Sequence, residues 1–226
     1  MIYLKKIYKQ LAEVKSAIIE FVRKVLVPIR KKEIRRDFCI ISNNCWGGKV
    51  YQRYGKSYSS PTVGLYFFSS DYISFLKDID YYLSIPIEML SAKESKNWAK
   101  LKQLGQENVP IGKLDDVEVV FLHYKTKEEA EQKWERRKHR VKKDNLIIKF
   151  SQMNGCTDEH IREFDSLPYK TKFVFTNHYV EGTNCCVYIP GYDGVEQILD
   201  DTSRYNGYVD LSSLINDNKV ISKYKE

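Results

Sequence analysis

Seven consecutive residues, Ser42-Asn43-Asn44-Cys45-Trp46-Gly47-Gly48, gather a hydroxyl, a thiol, two amides and two glycines. Glycines let backbone N–H groups approach an anion or an oxyanion closely, and asparagines offer neutral donors. Cys45 would be a nucleophile if a neighbouring base or a helix N-terminus lowered its pKa; the plainer alternative is a buried structural thiol beside a Trp46 plug. His123 follows the apolar run Val117–Leu122, and His178 follows Lys172–Thr176. Each is expected to serve as a general acid or base near neutral pH, or else as a capping or core histidine. A Cys-bearing loop and two histidines, all behind strands, form the constellation used by acyl transfer and ester chemistry. Cys45, His123 and His178 are therefore the candidate catalytic residues. Ser42, Asn43, Asn44, Gly47, Gly48, Tyr124 and Arg137 are the candidate substrate contacts.

Arg137 sits in a dense basic helix end, Trp134 to Arg140. Arginines there can clamp a phosphate or carboxylate, or simply complement the helix dipole and nearby glutamates. No G-x-G-x-x-G or P-loop spacing occurs in the Ser42–Gly48 loop, so ATP and dinucleotide chemistry lose support. The five cysteines are odd in number and lack C-x-x-C spacing, and the four histidines are scattered. No metal, cofactor or disulfide framework is expected, and a reduced cytoplasmic setting is.

The elements that must position these residues follow from hydrophobic periodicity. Short apolar runs at Phe38–Ser42, Val117–Leu122, Leu146–Phe150, Lys172–Thr176 and Cys185–Ile189 read as strands. Helices are predicted over Asp71–Leu83, from the Thr126-x-x-Glu129 capping pattern to about Val141, after Thr157, and over Val209–Ile215. Strand and helix in alternation predict an α/β domain of three layers with a mostly parallel, Rossmann-like sheet. In such sheets ligands bind beyond the carboxyl ends of the strands, where the Cys45 loop and both histidines fall.

That domain covers residues 37–226. Residues 1–36 form a separate basic amphipathic arm with eleven Lys and Arg against three Glu. The formal net charge of the 226 residues is +7, yet the domain itself carries 26 bases against 27 acids. A nucleic-acid partner is disfavoured, because its footprint would lie on the folded domain. Leu4, Ile7, Leu11, Val14, Ile18, Val22, Val25 and Ile29 recur every three or four residues, one face of a helix that Pro28 should kink or end. No apolar run is long enough to span a bilayer. Residues 1–30 are expected either to lie on an anionic inner membrane face or to pack on protein.

The blocks Ile41–Gly48, Tyr51, Ser60–Leu65, Pro110-Ile111-Gly112, His123-Tyr124, Lys133–Arg137 and Phe164–Pro168 together resemble a family of bacterial exopolysaccharide biosynthesis proteins, a domain of unknown function. They span about residues 38–180; the arm lies outside the resemblance, and the stretch after Cys186 matches weakly. The resemblance implies capsule or exopolysaccharide assembly and supplies no catalytic residues. Within that setting the expectation is a glycan-directed transferase taking an activated acyl or sugar donor and a glycan acceptor. Acyl transfer stands slightly ahead of glycosyl transfer by elimination, since Asp78-x-Asp80 falls inside a predicted helix. The alternatives are a metal-independent glycosyltransferase and a non-enzymatic, membrane-docked glycan-binding or scaffold protein.

Overall fold

Four strands pair side by side and all parallel: β1 (Cys39–Ser42), β5 (Leu146–Ser151), β6 (Thr171–Thr176) and β7 (Cys186–Tyr188), in that order across the sheet. The computed structural model describes Val14, Phe21 and residues 24–224. The strands are apolar without alternation because both faces are covered. Ile41, Ile148, Phe150 and Val174 point into one core with Tyr72, Phe75, Trp134 and Phe164. Ile40, Ile147, Phe173 and Phe175 point into the other with Trp46, Val50, Leu214 and Ile215. Helices α1 (Trp46–Arg53) and α7 (Leu211–Asp217) cover this second face. Helices α2 (Ser69–Lys77), α5 (Lys127–Lys138) and α6 (Asp158–Ser166) cover the first. The expected three-layer α/β architecture is therefore present.

Edge strand β1 is not left open. Tyr51 Oη accepts from Ile40 N at 2.9 Å and Thr62 Oγ1 from Ser42 N at 3.1 Å. Side chains thus satisfy amides that would otherwise invite a foreign strand.

Other expectations are corrected. Val117–Leu122 is not part of the parallel sheet: β4 (Val117–Val120) belongs to a separate antiparallel sheet with β2 (Glu88–Leu90) and β3 (Ile111–Leu114). A short apolar strand reads the same in either sheet, and Asp115 and Asp116 supply the turn that joins β3 to β4 in register. The single helix expected over Asp71–Leu83 is two, α2 and α3 (Ile79–Ser84), because Asp78 leaves the helical region and accepts from Tyr81 N at 3.1 Å as a fresh N-cap. Helix α4 (Trp98–Gln103) lies in a stretch that lacked clear periodicity. Thr126 and Thr157 cap α5 and α6 as the sequence predicts.

Of the arm, Val14, Phe21 and residues 24–31 are helical, and the helix continues through Pro28 to end after Lys31. The other positions of the apolar stripe lie outside the described residues. Among the described residues no helix is long and apolar enough to cross a membrane. The arm's foot is tied to the domain: Arg35 N donates to Asn216 Oδ1 at 2.8 Å, and Ile34 enters the core beside α7.

Beyond β7 the chain runs without helix or strand from residue 189 to 208 and closes over the carboxyl ends of the sheet. Ile198 N donates to Gln152 O at 2.8 Å, Asn177 Nδ2 to Val195 O at 2.6 Å, and Trp46 Nε1 to Tyr205 O at 2.9 Å. Its deepest anchor is Asp201, which pairs with Lys149 of β5; both side chains are fully buried. Removing one partner leaves an uncompensated buried charge. Asp201→Ala should therefore cost about 3–5 kcal/mol in urea unfolding followed by tryptophan fluorescence, and Lys149→Met with Asp201→Leu should recover most of it. A loss below about 1 kcal/mol for Asp201→Ala would remove the pair from this role.

Candidate functional site

The loop after β1 does two different jobs. Its first three residues point inward. Ser42 Oγ donates to Asn44 O at 2.6 Å, and Asn43 Nδ2 donates to Ser151 O at 3.2 Å. Asn44 Oδ1 accepts from Trp46 N at 3.1 Å and from Lys149 Nζ at 3.0 Å, while Asn44 Nδ2 donates to Asp201 Oδ1 at 2.9 Å. All three side chains are buried. These three expected substrate contacts build the turn and start α1, and none of them lines the groove described next. Gly47 is likewise structural, since a Cβ there would meet Ile40 Cγ2 at 3.0 Å.

From Cys45 onward the chain faces outward. Cys45, Gly48, Lys49 and Gln52 recur at helical spacing along one side of α1 and line a groove of about 320 Å³. The facing wall is α5, which contributes Glu129, Lys133 and Arg137 at every fourth residue. His123 and Tyr124, just past the end of β4, form one end with Gly64. The backbone at Gly64 has φ +82°, and a Cβ there would lie 3.1 Å from the Tyr124 ring, so glycine is required. His123 N donates to Gly64 O at 3.0 Å, which fixes the histidine's backbone at the rim. The structure thus brings Cys45, Gly48, His123, Tyr124 and Arg137 together from three separate stretches of sequence.

Arg137 is only 7% exposed, yet among the described residues no carboxylate pairs with it. Its Nη1 donates to Tyr124 Oη at 2.6 Å and to Val63 O at 3.2 Å, and its guanidinium lies 4.9 Å from the Tyr58 ring centroid. Its Nε is buried without a partner. Among the described residues, Lys49 and Lys133 also make no ion pair, so three cations share the groove with Glu129. Gly48 lines the groove from the first turn of α1, where backbone N–H groups have no intrahelical acceptor and add positive potential. The groove is therefore lined by more positive than negative charge.

Burial raises the Cys45 thiol to about 11, helped by the negative charge of Asp201. Its Sγ contacts Leu65 O at 3.8 Å. At neutral pH it is a protonated thiol in the wall, which argues against the nucleophilic role. Burial also raises the Tyr124 phenol, although Arg137 opposes the shift. His178 is not in this groove: its Nε2 lies 2.9 Å from Asp158 Oδ1 at the start of α6, and its Nδ1 2.7 Å from Asn177 Oδ1. The structure therefore does not bring it together with Cys45, because the loop after β6 turns toward α6. Among the described residues no group of three or more His, Cys, Asp and Glu is placed to hold a metal ion.

Lys49, Gln52, Glu129 and Lys133 were not foreseen. The signal was present as four-residue spacing from Cys45 and back from Arg137, once both stretches are helices. The Cys45 assignment has a direct check. Its alkylation by iodoacetamide, read by peptide mass spectrometry, should keep accelerating with pH toward about 11. A plateau below pH ~8.5, the range of a free thiol, would restore the reactive thiolate.

A family model described as "Domain of unknown function (DUF1919)" matches residues 17–222. An "Uncharacterized protein" of Haemophilus influenzae (strain ATCC 51907 / DSM 11121 / KW20 / Rd) is 32% identical over 181 residues, covering 79% of this chain and 82% of that protein. The family match extends past the 38–180 blocks in both directions, taking in the second half of the arm and the stretch beyond Cys186. With a match of this extent, the chain belongs to the DUF1919 family.

Proposed function

We propose that this protein is a glycan-directed transferase of cell-surface polysaccharide assembly, moving a sugar from a phosphate-activated donor bound in the α1–α5 groove. The setting comes from the resemblance to exopolysaccharide biosynthesis proteins. The observation that carries the choice of reaction is Arg137, a buried guanidinium with no carboxylate partner among the described residues. A buried, unpaired charge is costly, and a bound phosphate would relieve that cost through charge-assisted hydrogen bonds. Lys49, Lys133 and the α1 N-terminus surround the same space and favour two phosphates over one. Acyl transfer through Cys45, the reading placed first from sequence, loses support because the thiol stays protonated.

In the proposed step an acceptor hydroxyl oxygen attacks the anomeric carbon of the donor. The new C–O bond forms as the bond from that carbon to the phosphate oxygen breaks, and the electron pair leaves with the phosphate. Arg137, Lys133 and the helix N-terminus take up the charge developing on that leaving group. His123 or Glu129, both lining the groove, receives the hydroxyl proton. The arm, with its excess of eleven bases over three acids, would hold the enzyme on an anionic inner membrane face.

Calorimetry with inorganic pyrophosphate tests the site without knowledge of the sugar. Lys49→Ala and Lys133→Ala should each weaken binding about five- to tenfold, as loss of a charge-assisted contact does. Absence of saturable binding, or variants that bind like the parent, would reject the donor site. In cells, a deletion strain should make polymer lacking a sugar, or no polymer, and Cys45→Ala should complement it. A polymer of unchanged sugar composition that lacks only an acyl group would return acyl transfer to first place.

A further inference from the structure

Two thiols meet at the head of β7, away from the groove. Cys185 Sγ lies in hydrogen-bond contact with Cys186 Sγ. Cys186 is half-buried and opens the strand, and Thr183 Oγ1 sits 3.1 Å from its sulfur. The Val180 amide is directed at the same sulfur, and Thr176 Oγ1 lies close to it. That Thr176 hydroxyl is buried and has no hydrogen-bond partner among the described residues. Buried hydroxyls are rarely left unsatisfied, and a negatively charged sulfur beside this one would accept its hydrogen bond.

The surroundings drive the two thiols in opposite directions. The hydrogen bond from Cys185, joined by those from the 176–183 stretch, lowers the Cys186 thiol below the ordinary cysteine value, although burial opposes the shift. The same contact raises Cys185, and burial and the Asp165 carboxylate raise it further. Elsewhere burial dominates, raising Cys39 and Cys45 to about 11 and Cys156 to about 12. A thiolate touching a protonated thiol has the make-up of an oxidisable nucleophile and its resolving partner.

We infer that Cys186 and Cys185 form a redox-active pair, in which a hydroperoxide oxidises Cys186 and Cys185 then closes a vicinal disulfide. In the first step the Cys186 sulfur attacks one peroxide oxygen. The S–O bond forms as the O–O bond breaks, the other oxygen leaves with the electron pair as hydroxide, and the sulfur becomes a sulfenic acid. In the second step the Cys185 sulfur attacks that sulfur. The S–S bond forms as the S–O bond breaks, and the departing hydroxide takes the Cys185 proton and leaves as water. The two sulfurs lose two electrons between them and the peroxide gains them.

The same geometry makes the modification reversible. Adjacent Cα atoms stand ~3.8 Å apart, closer than the ~4.4–6.8 Å of ordinary disulfides. Closing the ring must also bend the peptide between the two cysteines, whose carbonyl accepts from Val174 N at 2.9 Å. A strained disulfide of this kind is reduced readily by cellular thiols. This site is independent of the transfer reaction proposed above.

Peptide mapping of the full chain decides it, because trypsin leaves Cys185 and Cys186 together on residues 173–204 and Cys156 apart on residues 150–162. After equimolar hydrogen peroxide with dimedone present, the parent's 173–204 peptide should be two hydrogens lighter and free of dimedone. Cys185→Ser, which keeps a hydrogen-bond donor, should carry dimedone on Cys186 instead. In the parent, Cys39, Cys45 and Cys156 should react at least about tenfold more slowly. Millimolar glutathione should restore the original mass. Both the mass loss and the glutathione step are read on the parent, so they stand even if the variant folds poorly. A disulfide joining the 173–204 and 150–162 peptides would overturn Cys185 as the partner. Dimedone spread evenly over the five cysteines, or an open Cys186 adduct in the parent, would overturn the pair. A ring that survives glutathione would overturn its reversibility.

Discussion

A lysine ammonium in the dry interior of a sheet face constrains everything around it. Lys149 projects from β5 among Trp46 and Phe175, where burial pulls its pKa below the ordinary lysine value while Asp201 opposes that shift. Such a group is tolerated only when paired and hydrogen-bonded. Asp201, Ser151 and Asn44 meet that demand together. The requirement fixes the 189–208 segment across the sheet and fixes Asn44, whose same oxygen starts α1. The pair therefore sets both the cover over the sheet and the first wall of the groove.

This has a functional consequence. In an open parallel sheet the crevice beyond the strand carboxyl ends is the usual ligand site. Here the chain's own 189–208 segment occupies it, and the accessible groove lies beside the edge strand β1, between a helix from each face of the sheet. The small antiparallel sheet then has a definite use: β4 delivers His123 and Tyr124 to the end of that groove. Tyr124 in turn holds the Arg137 fork, so the cation's position depends on an element outside the main sheet.

Much of this was legible in the sequence, for reasons that can be named. Apolar runs, the capping threonines Thr126 and Thr157, and the order of strand and helix reflect local rules, and they returned the α/β layers. Residues from three distant stretches, Cys45 and Gly48, His123-Tyr124 and Arg137, do converge on one groove. What local pattern could not carry was long-range pairing. Val117–Val120 reads alike as a parallel or antiparallel strand. Helix α1 was hidden because Gly47 and Gly48 are poor helix formers, each costing about 1 kcal/mol against alanine, yet packing on Ile40 and Val63 demands them. Lys149 passed as an ordinary strand lysine because Asp201, its partner, lies 52 positions away in a segment without regular structure.

The central claim is that an anion is held between the first turn of α1 and Arg137. Amide and guanidinium NMR during a pyrophosphate titration tests it most directly. The account predicts saturable shifts concentrated at the Gly47, Gly48 and Lys49 amides and at the Arg137 Nε–H, which has no partner in the free protein. Shifts confined to the basic residues around Lys31 and Lys142, with the α1 amides and Arg137 unmoved, would contradict it.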